Sequence, residues 1–253
     1  MDKIALITGA TSGIGEATAR YLAEAGYSLI ITGRRQERLL NLSSRLKENG
    51  VHVLPLCFDV RDKEAVYKAL GNLPVDWQNI DVLINNAGLA AGLSDLENAD
   101  ENDWDRMIDT NVKGLLYVSK AIIPLMKARE KGYIVNISSI AGREAYSKGN
   151  VYCASKHAVQ ALTQTMRIDL LPFQIRVTSI CPGATETEFS LVRFNGDEDK
   201  AKQVYKGYTP LTAEDVADLI RYIVTRPAHV SISDVLITPS AQASTAHFYK
   251  TEN

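Results

Sequence analysis

Residues 4–15 read IALITGATSGIG, and the architecture is read outward from this stretch. A short apolar run ends at Thr8-Gly9, and small residues then lead into a helix-forming segment. A strand, a glycine-rich turn and a helix start together offer unpaired N–H groups and a positive dipole end to an anion. Gly9, Thr11, Ser12, Gly13, Ile14 and Gly15 are therefore candidates to cradle a dinucleotide pyrophosphate. The spacing is G-x-x-x-G-x-G rather than G-x-G-x-x-G. A glycine turn alone is weak evidence; its place after the first strand of an alternating series gives it weight.

Strand and helix signals alternate along the rest of the chain. Strands are predicted over residues 4–8, 28–32, 51–58, 81–85, 133–138, 175–181 and 235–238. Helices are predicted over 15–26, 36–49, 63–73, 102 into the 120s, 151–171, 197–205 and 213–225. Pro124 marks a kink or break in the fourth of these, and Thr212 is the N-cap of the last. Continuously apolar strands imply a sheet covered on both faces. Helices between them imply parallel strands with right-handed crossovers. The expected fold is α/β: a doubly wound, Rossmann-type, mostly parallel sheet of about seven strands with helices on both faces. One domain spans 1–253, a lid-like segment covers about 189–210, and the polar tail after Ser240 is loosely held. The helix over 151–171 carries apolar or small residues around much of its circumference, so a second surface covers it, either another subunit or loops of the same chain.

Composition excludes several classes. A net charge of −2 in 253 residues argues against nucleic acid or an acidic membrane as main partner. No apolar run approaches the ~20 residues that span a bilayer, and the run near the N-terminus is too short for a signal peptide. Cys57, Cys153 and Cys181 are far apart and read as small hydrophobes in a reducing, cytoplasmic compartment. His52, His157, His229 and His247 form no ligand cluster, so no metal is expected.

The ends of the strands carry the chemistry. Gly33-Arg34-Arg35 closes the second strand, where an NAD site usually places an acid on the ribose hydroxyls. Two guanidinium groups suit the 2′-phosphate of NADP instead, the alternative being a pair of solvated arginines. Asp59-Val60 follows the third strand, where adenine is expected. Asn86-Ala87-Gly88 follows the fourth, where small residues leave room for the ribose. Tyr152 and Lys156 stand four residues apart in YCASK, on one face of the predicted helix. A phenol titrates near pH ~10 and is a poor acid–base group at neutral pH, but a cation beside it lowers that value. Ser139 adds a hydroxyl to hold a substrate oxygen. Taken alone, YxxxK is common on amphipathic helices.

With these residues assembled, the chain resembles the short-chain dehydrogenase/reductase family over essentially its full length. The matches are TGATSGIG (8–15), NNAG (85–88), NVKG (111–114), NISS (136–139), YCASK (152–156) and PGATET (182–187). The resemblance implies that Tyr152 is the general acid/base. Lys156 binds the nicotinamide ribose and lowers the Tyr152 pKa, and Ser139 hydrogen-bonds the substrate. It also implies that Asn111 positions a water in a proton relay. Thr187, with the backbone around Pro182, Gly183 and Thr185, holds the nicotinamide carboxamide. The ending DVLITPSAQAS (234–244), with GRRQERL (33–39), FSLVRF (189–194) and PAHVSISDV (227–235), resembles a narrower branch, the NADP-dependent 3-hydroxy acid (serine or allo-threonine) dehydrogenases, which are homotetramers. Oxidation of a small 3-hydroxy acid is the expected activity; a broad carbonyl reductase and a non-catalytic NADP sensor are the alternatives. A substrate carboxylate needs a cation in a site that excludes water, and Arg143 and Arg193 are the two candidates.

Overall fold

The computed structural model describes residues 3–251. Seven strands form one sheet: β1 (Ile4–Ile7), β2 (Ser28–Gly33), β3 (Val53–Cys57), β4 (Ile80–Asn85), β5 (Gly132–Ile137), β6 (Ile175–Pro182) and β7 (Asp234–Ile237). Their order is β3-β2-β1-β4-β5-β6-β7, and every neighbouring pair is parallel. The order reverses between β1 and β4, and this architecture binds its ligands beyond the carboxyl ends of the strands at such a switch. Successive side chains on a strand face opposite sides. On β1, Ile4 and Leu6 enter the core on one face of the sheet, and Ala5 and Ile7 the core on the other. All four are buried, as the unbroken apolar run requires. The edge strand β7 is alternately exposed and half-buried instead.

Nine α-helices pack around the sheet among the described residues: α1 (Gly13–Glu24), α2 (Gln36–Glu48), α3 (Lys63–Gly71), α4 (Glu101–Ile108), α5 (Leu115–Lys127), α6 (Asn150–Leu170), α7 (Phe189–Arg193), α8 (Glu198–Gln203) and α9 (Ala213–Val224). Leu22 of α1, Leu39 and Leu42 of α2 and Ile220 of α9 fill one core layer. Val66 of α3, Val118 and Ile122 of α5 and Val159 of α6 fill the other. Thr212 caps α9: its hydroxyl accepts from Asp215 N at 3.2 Å, and the Asp215 carboxylate accepts from Thr212 N at 2.7 Å. This reciprocal pair satisfies two donors that a helix start leaves free.

Three expectations need correction. The long fourth helix is interrupted not at Pro124 but by a π-helical turn at Asp109–Gly114. Pro124 lies within α5, which continues to Lys127. The tail beyond Ser240 is docked rather than loose. Gln242 is buried and accepts from Ala184 N at 2.8 Å, Phe248 stacks on Tyr208 at 5.0 Å, and Thr251 N donates to Gly207 O. Among the described residues no loop covers the outer face of α6 at its C-terminal end, where Ile168 and, just beyond the helix, Leu171 are 72% and 73% exposed.

Candidate active site

A cavity of about 500 Å³ runs along the carboxyl ends of the strands. It gathers most of the residues singled out in the sequence. Gly9, Thr11, Ser12, Gly13 and Ile14 line it, as do Arg34, Arg35, Asp59, Val60, Asn86, Ala87, Gly88, Ser139, Tyr152, Lys156, Pro182, Gly183, Thr185, Thr187 and Arg193. Gly15, Asn111 and Arg143 do not line it.

Gly15 acts from beneath. A Cβ there would stand 2.3 Å from Gly9 O and 2.5 Å from the Asn86 amide nitrogen. Asn86 fixes the same turn by donating to Thr8 O at 2.9 Å and Gly9 O at 3.2 Å. With Gly9 at φ +67° and Gly13 at φ +53°, the turn adopts a conformation and a packing distance that side chains would prevent. The neighbouring Asn85 faces inward. Its amide donates to Ser119 and Asn136, and Asn136 donates on to Thr163, so a buried polar chain ties β4 to β5, α5 and α6.

Beside β2, Arg35 donates to the hydroxyls of Thr11 at 3.1 Å and Ser12 at 2.7 Å. It also pairs with Glu188 at 2.7 Å, and Arg38 pairs with the other Glu188 oxygen at 2.5 Å. Burial alone would raise the Glu188 carboxyl, but the two guanidinium groups bring it down to about 2. Arg34 lies 3.5 Å from Asp59, which Arg61 also pairs at 2.7 Å.

At the far end, Ser139 leaves β5, and Tyr152 and Lys156 project from one face of α6. All three are buried. Burial pushes the Tyr152 phenol well above its ordinary value, and the Ser139 hydrogen bond and the Arg193 charge pull it back only in part. Burial likewise lowers the Lys156 ammonium to about 8. Lys156 Nζ donates to Ile137 O at 3.0 Å and sits 5.9 Å from the Tyr152 ring centre. The groups that lower the phenol here are Ser139 and Arg193 rather than Lys156, and burial exceeds both.

Asn111, in the π-helical turn, spends both of its amide donors on structure. Its oxygen accepts from Leu89 N at 2.8 Å, and its nitrogen donates to Leu89 O at 2.8 Å and Ser155 Oγ at 3.0 Å. It clamps the loop after β4 to α6, and its side chain has no donor left for a water.

The two candidate cations part company. Arg143 pairs with Asp234 at 2.6 Å and does not line the cavity. Arg193, at the end of α7, places its guanidinium 5.1 Å from the Tyr152 ring centre and 5.7 Å from that of Phe189, and donates to the Tyr146 hydroxyl. Its Nε is buried without a hydrogen-bond partner among the described residues. Its backbone carbonyl accepts from Gly92 N, which anchors the segment across the cavity mouth.

Sequence reasoning passed over Tyr146, Glu188 and Gln242. A Cβ on Gly183 would lie 2.3 Å from the Gln242 side-chain oxygen, so the tail residue and the glycine of PGATET fit each other. No local pattern ties residue 242 to residue 183; only the docked tail reveals the pair. Among the described residues no group of His, Cys, Asp and Glu is placed to hold a metal, and no helix is long and apolar enough to cross a membrane.

Comparison with known proteins extends the geometry. A family model described as short chain dehydrogenase matches residues 3–196. NADP-dependent 3-hydroxy acid dehydrogenase YdfG of Salmonella typhi is 46% identical over 241 residues, covering 95% of this chain and 96% of that one. Sulfoacetaldehyde reductase 2 of Chromohalobacter salexigens is 46% identical over 247 residues, covering 97% and 98%. Among solved structures, the closed form of serine dehydrogenase complexed with NADP+ superposes with a TM-score of 0.91 at 43% identity, covering 98% of this chain and all of that one.

Proposed function

The chain belongs to the short-chain dehydrogenase family, and from that premise we propose that it oxidises a small 3-hydroxy acid reversibly with NADP, Tyr152 serving as acid and base. The observation that carries the substrate class is Arg193. A guanidinium with an unspent buried donor faces the ring of the acid–base phenol, and a planar fork suits a carboxylate. A carboxylate one carbon removed from the reacting carbon then brings its hydroxyl toward Tyr152.

The cavity suits a dinucleotide. The side-chain-free turn at Gly9, Gly13 and Gly15 leaves its backbone open to a pyrophosphate. Arg34 and Arg35 would receive a 2′-phosphate, Asp59 and Val60 would hold adenine, and Pro182, Gly183, Thr185 and Thr187 would hold the nicotinamide end. NADP supplies the hydride acceptor in oxidation and the donor in reduction. The protein moves the proton. The positive charge of a bound oxidised nicotinamide would offset the burial that holds the phenol up; Tyr152 as phenolate would then take the proton from the substrate hydroxyl, and as phenol return it to the carbonyl oxygen, which Ser139 would hold by hydrogen bond. Lys156 contributes positive charge below about pH 8, and Asn111 acts as a positioning residue for the Leu89 loop. Residues 189–210 cover the substrate, with α7 delivering Arg193.

A second reading, a broad carbonyl reductase, is favoured by the aromatic lining of Tyr146, Phe189, Tyr205, Tyr208 and Phe248. A panel of serine, allo-threonine, 3-hydroxyisobutyrate, 3-hydroxypropionate, sulfoacetaldehyde and uncharged ketones of similar size separates the two. Preference for the anionic members supports the first reading, and equal turnover of uncharged ones supports the second.

The open apolar face of α6 supports self-association, with a homotetramer expected from the family branch. Light scattering reads the mass directly, and Ile168→Glu is expected to shift it toward smaller species.

A further inference from the structure

Glu188 sits where a cofactor anion is expected to sit. Its two carboxylate oxygens are divided between Arg35 and Arg38, at 2.7 Å and 2.5 Å. Arg35 is also held to the glycine turn through Thr11 and Ser12, so its position is set independently of Glu188. Arg38, one turn along α2, shows no other ion pair among the described residues. Glu188 lines the same cavity as Thr11, Ser12, Arg34 and Arg35. Two guanidinium groups sharing one carboxylate form a receptor for a compact oxyanion, and a phosphate fits it as well as a carboxylate does.

The same residue is joined to the opposite end of the cavity. Glu188 immediately precedes α7, which puts Phe189 against the Tyr152 ring at 5.6 Å and Arg193 over it. Val192 N and Glu188 O share the first hydrogen bond of that helix. The ion pairs at Glu188 thus fasten the start of the substrate-covering segment to the adenosine end of the site.

We propose that Glu188 is a specificity-determining residue that competes with the 2′-phosphate of the cofactor for Arg35 and Arg38, so that a 2′-phosphorylated ligand displaces it and frees the start of α7. Two anions cannot share one pair of guanidinium groups without repulsion. A ligand lacking the 2′-phosphate has nothing to place there and leaves the carboxylate paired. Only a differential interaction shifts such an equilibrium, and the 2′-phosphate is that difference. Glu188 accordingly weakens binding of the phosphorylated cofactor and ties its arrival and departure to the segment that carries Arg193. The inference rests on the NADP reading above.

The test uses 2′,5′-ADP and 5′-AMP, which carry the adenosine end with and without the 2′-phosphate and have no nicotinamide. Calorimetry on the wild type, Glu188→Gln, Arg38→Gln and the double variant reads binding with no turnover. Both Glu188 ion pairs are partly exposed, so the expected effect is modest. Glu188→Gln is expected to tighten 2′,5′-ADP by about three- to tenfold and to change 5′-AMP by less than about twofold. In the Arg38→Gln background the gain is expected to shrink, because a shared partner makes the two changes non-additive. Unchanged or weaker binding of 2′,5′-ADP by Glu188→Gln overturns the proposal, as does an equal gain for 5′-AMP. A wild type that binds the two probes equally overturns the NADP reading itself and the competition with it.

Discussion

At one end of the cavity, where the adenosine half of NADP is proposed to bind, Arg35, Arg38 and Glu188 leave 42%, 50% and 36% of their side chains exposed; at the other, where the reaction is proposed, Tyr152 and Lys156 are 8% and 5% exposed. The first group consists of opposite charges paired in contact with water. The second consists of groups of ordinary polarity held out of water, where burial pushes the phenol up and the ammonium down. Solvent screens the first set, so each exposed pair contributes little and is sensitive to salt. No such screening reaches the second set, and each atom there has a large effect on what the site does. Recognition by interchangeable charges at one end and chemistry by irreplaceable atoms at the other is the division of labour to test.

The largest effect belongs to the buried end. Tyr152→Phe keeps the ring against Phe189 but removes the proton. Turnover is expected to fall by ~10²–10⁴-fold, with the dissociation constant for NADP within about twofold of wild type, read by fluorescence titration. A loss below about tenfold in the chemical step removes Tyr152 from its role. Next comes Arg193, half-buried between the two regimes. Arg193→Leu is expected to lower kcat/KM for 3-hydroxy acids by ~10–100-fold, as loss of a charge-assisted hydrogen bond implies. Uncharged alcohols of the same size are expected to change far less. Equal loss on both classes refutes carboxylate recognition. At the exposed end, replacing Arg34 and Arg35 by Gln is expected to raise the KM for NADP by about tenfold and to leave that for NAD nearly unchanged. The difference is expected to shrink as salt rises. A wild type that prefers NAD breaks the comparison at its charged end.

How much of this was legible in the chain follows the same division. The glycine turn, the strand order of the motifs and the Ser139–Tyr152–Lys156 set are local patterns with short spacings, and they were readable. Which of Arg143 and Arg193 lines the cavity was not, because Arg143 is drawn to Asp234, ninety-one residues beyond it. Glu188 escaped notice for a related reason. Within the sequence it is one acid beside a threonine; only the fold brings it to two arginines on α2. Pro124 misled because losing one backbone bond, to the Lys120 carbonyl in the preceding turn, does not stop the helix: α5 runs three residues further before it ends. The tail misled because polar composition argues for disorder, whereas the buried amide of Gln242, the Tyr208–Phe248 pair and backbone bonds from Thr245 to Glu144 and from Thr251 to Gly207 dock it.

A last effect separates the two ends by pH rather than by rate. Lys156 ordinarily titrates near 10.5, and burial lowers it to about 8 in the folded chain. Between those values the unfolded chain holds a proton that the folded chain has released. Stability therefore rises with pH from about 8 toward 10.5 through this group. Tyr152 works in the opposite sense. Its folded value is raised above 10, so above pH 10 the folded chain keeps a proton that the unfolded one loses, and stability falls. The rise contributed by Lys156 is thus confined to about pH 8–10. Two pH units correspond to about 2.7 kcal/mol at most, which for a chain of this size is a melting shift of roughly 5–10 °C before relaxation reduces it. Lys156→Met retains the length of the side chain and removes the titration. The melting temperature of the wild type relative to this variant is expected to climb between about pH 8 and 9.5, and to do so equally at low and high salt, since the group is out of water's reach. Parallel melting curves for the two proteins across that window would show that Lys156 keeps its proton on folding, and would place it with the solvated charges of the adenosine end.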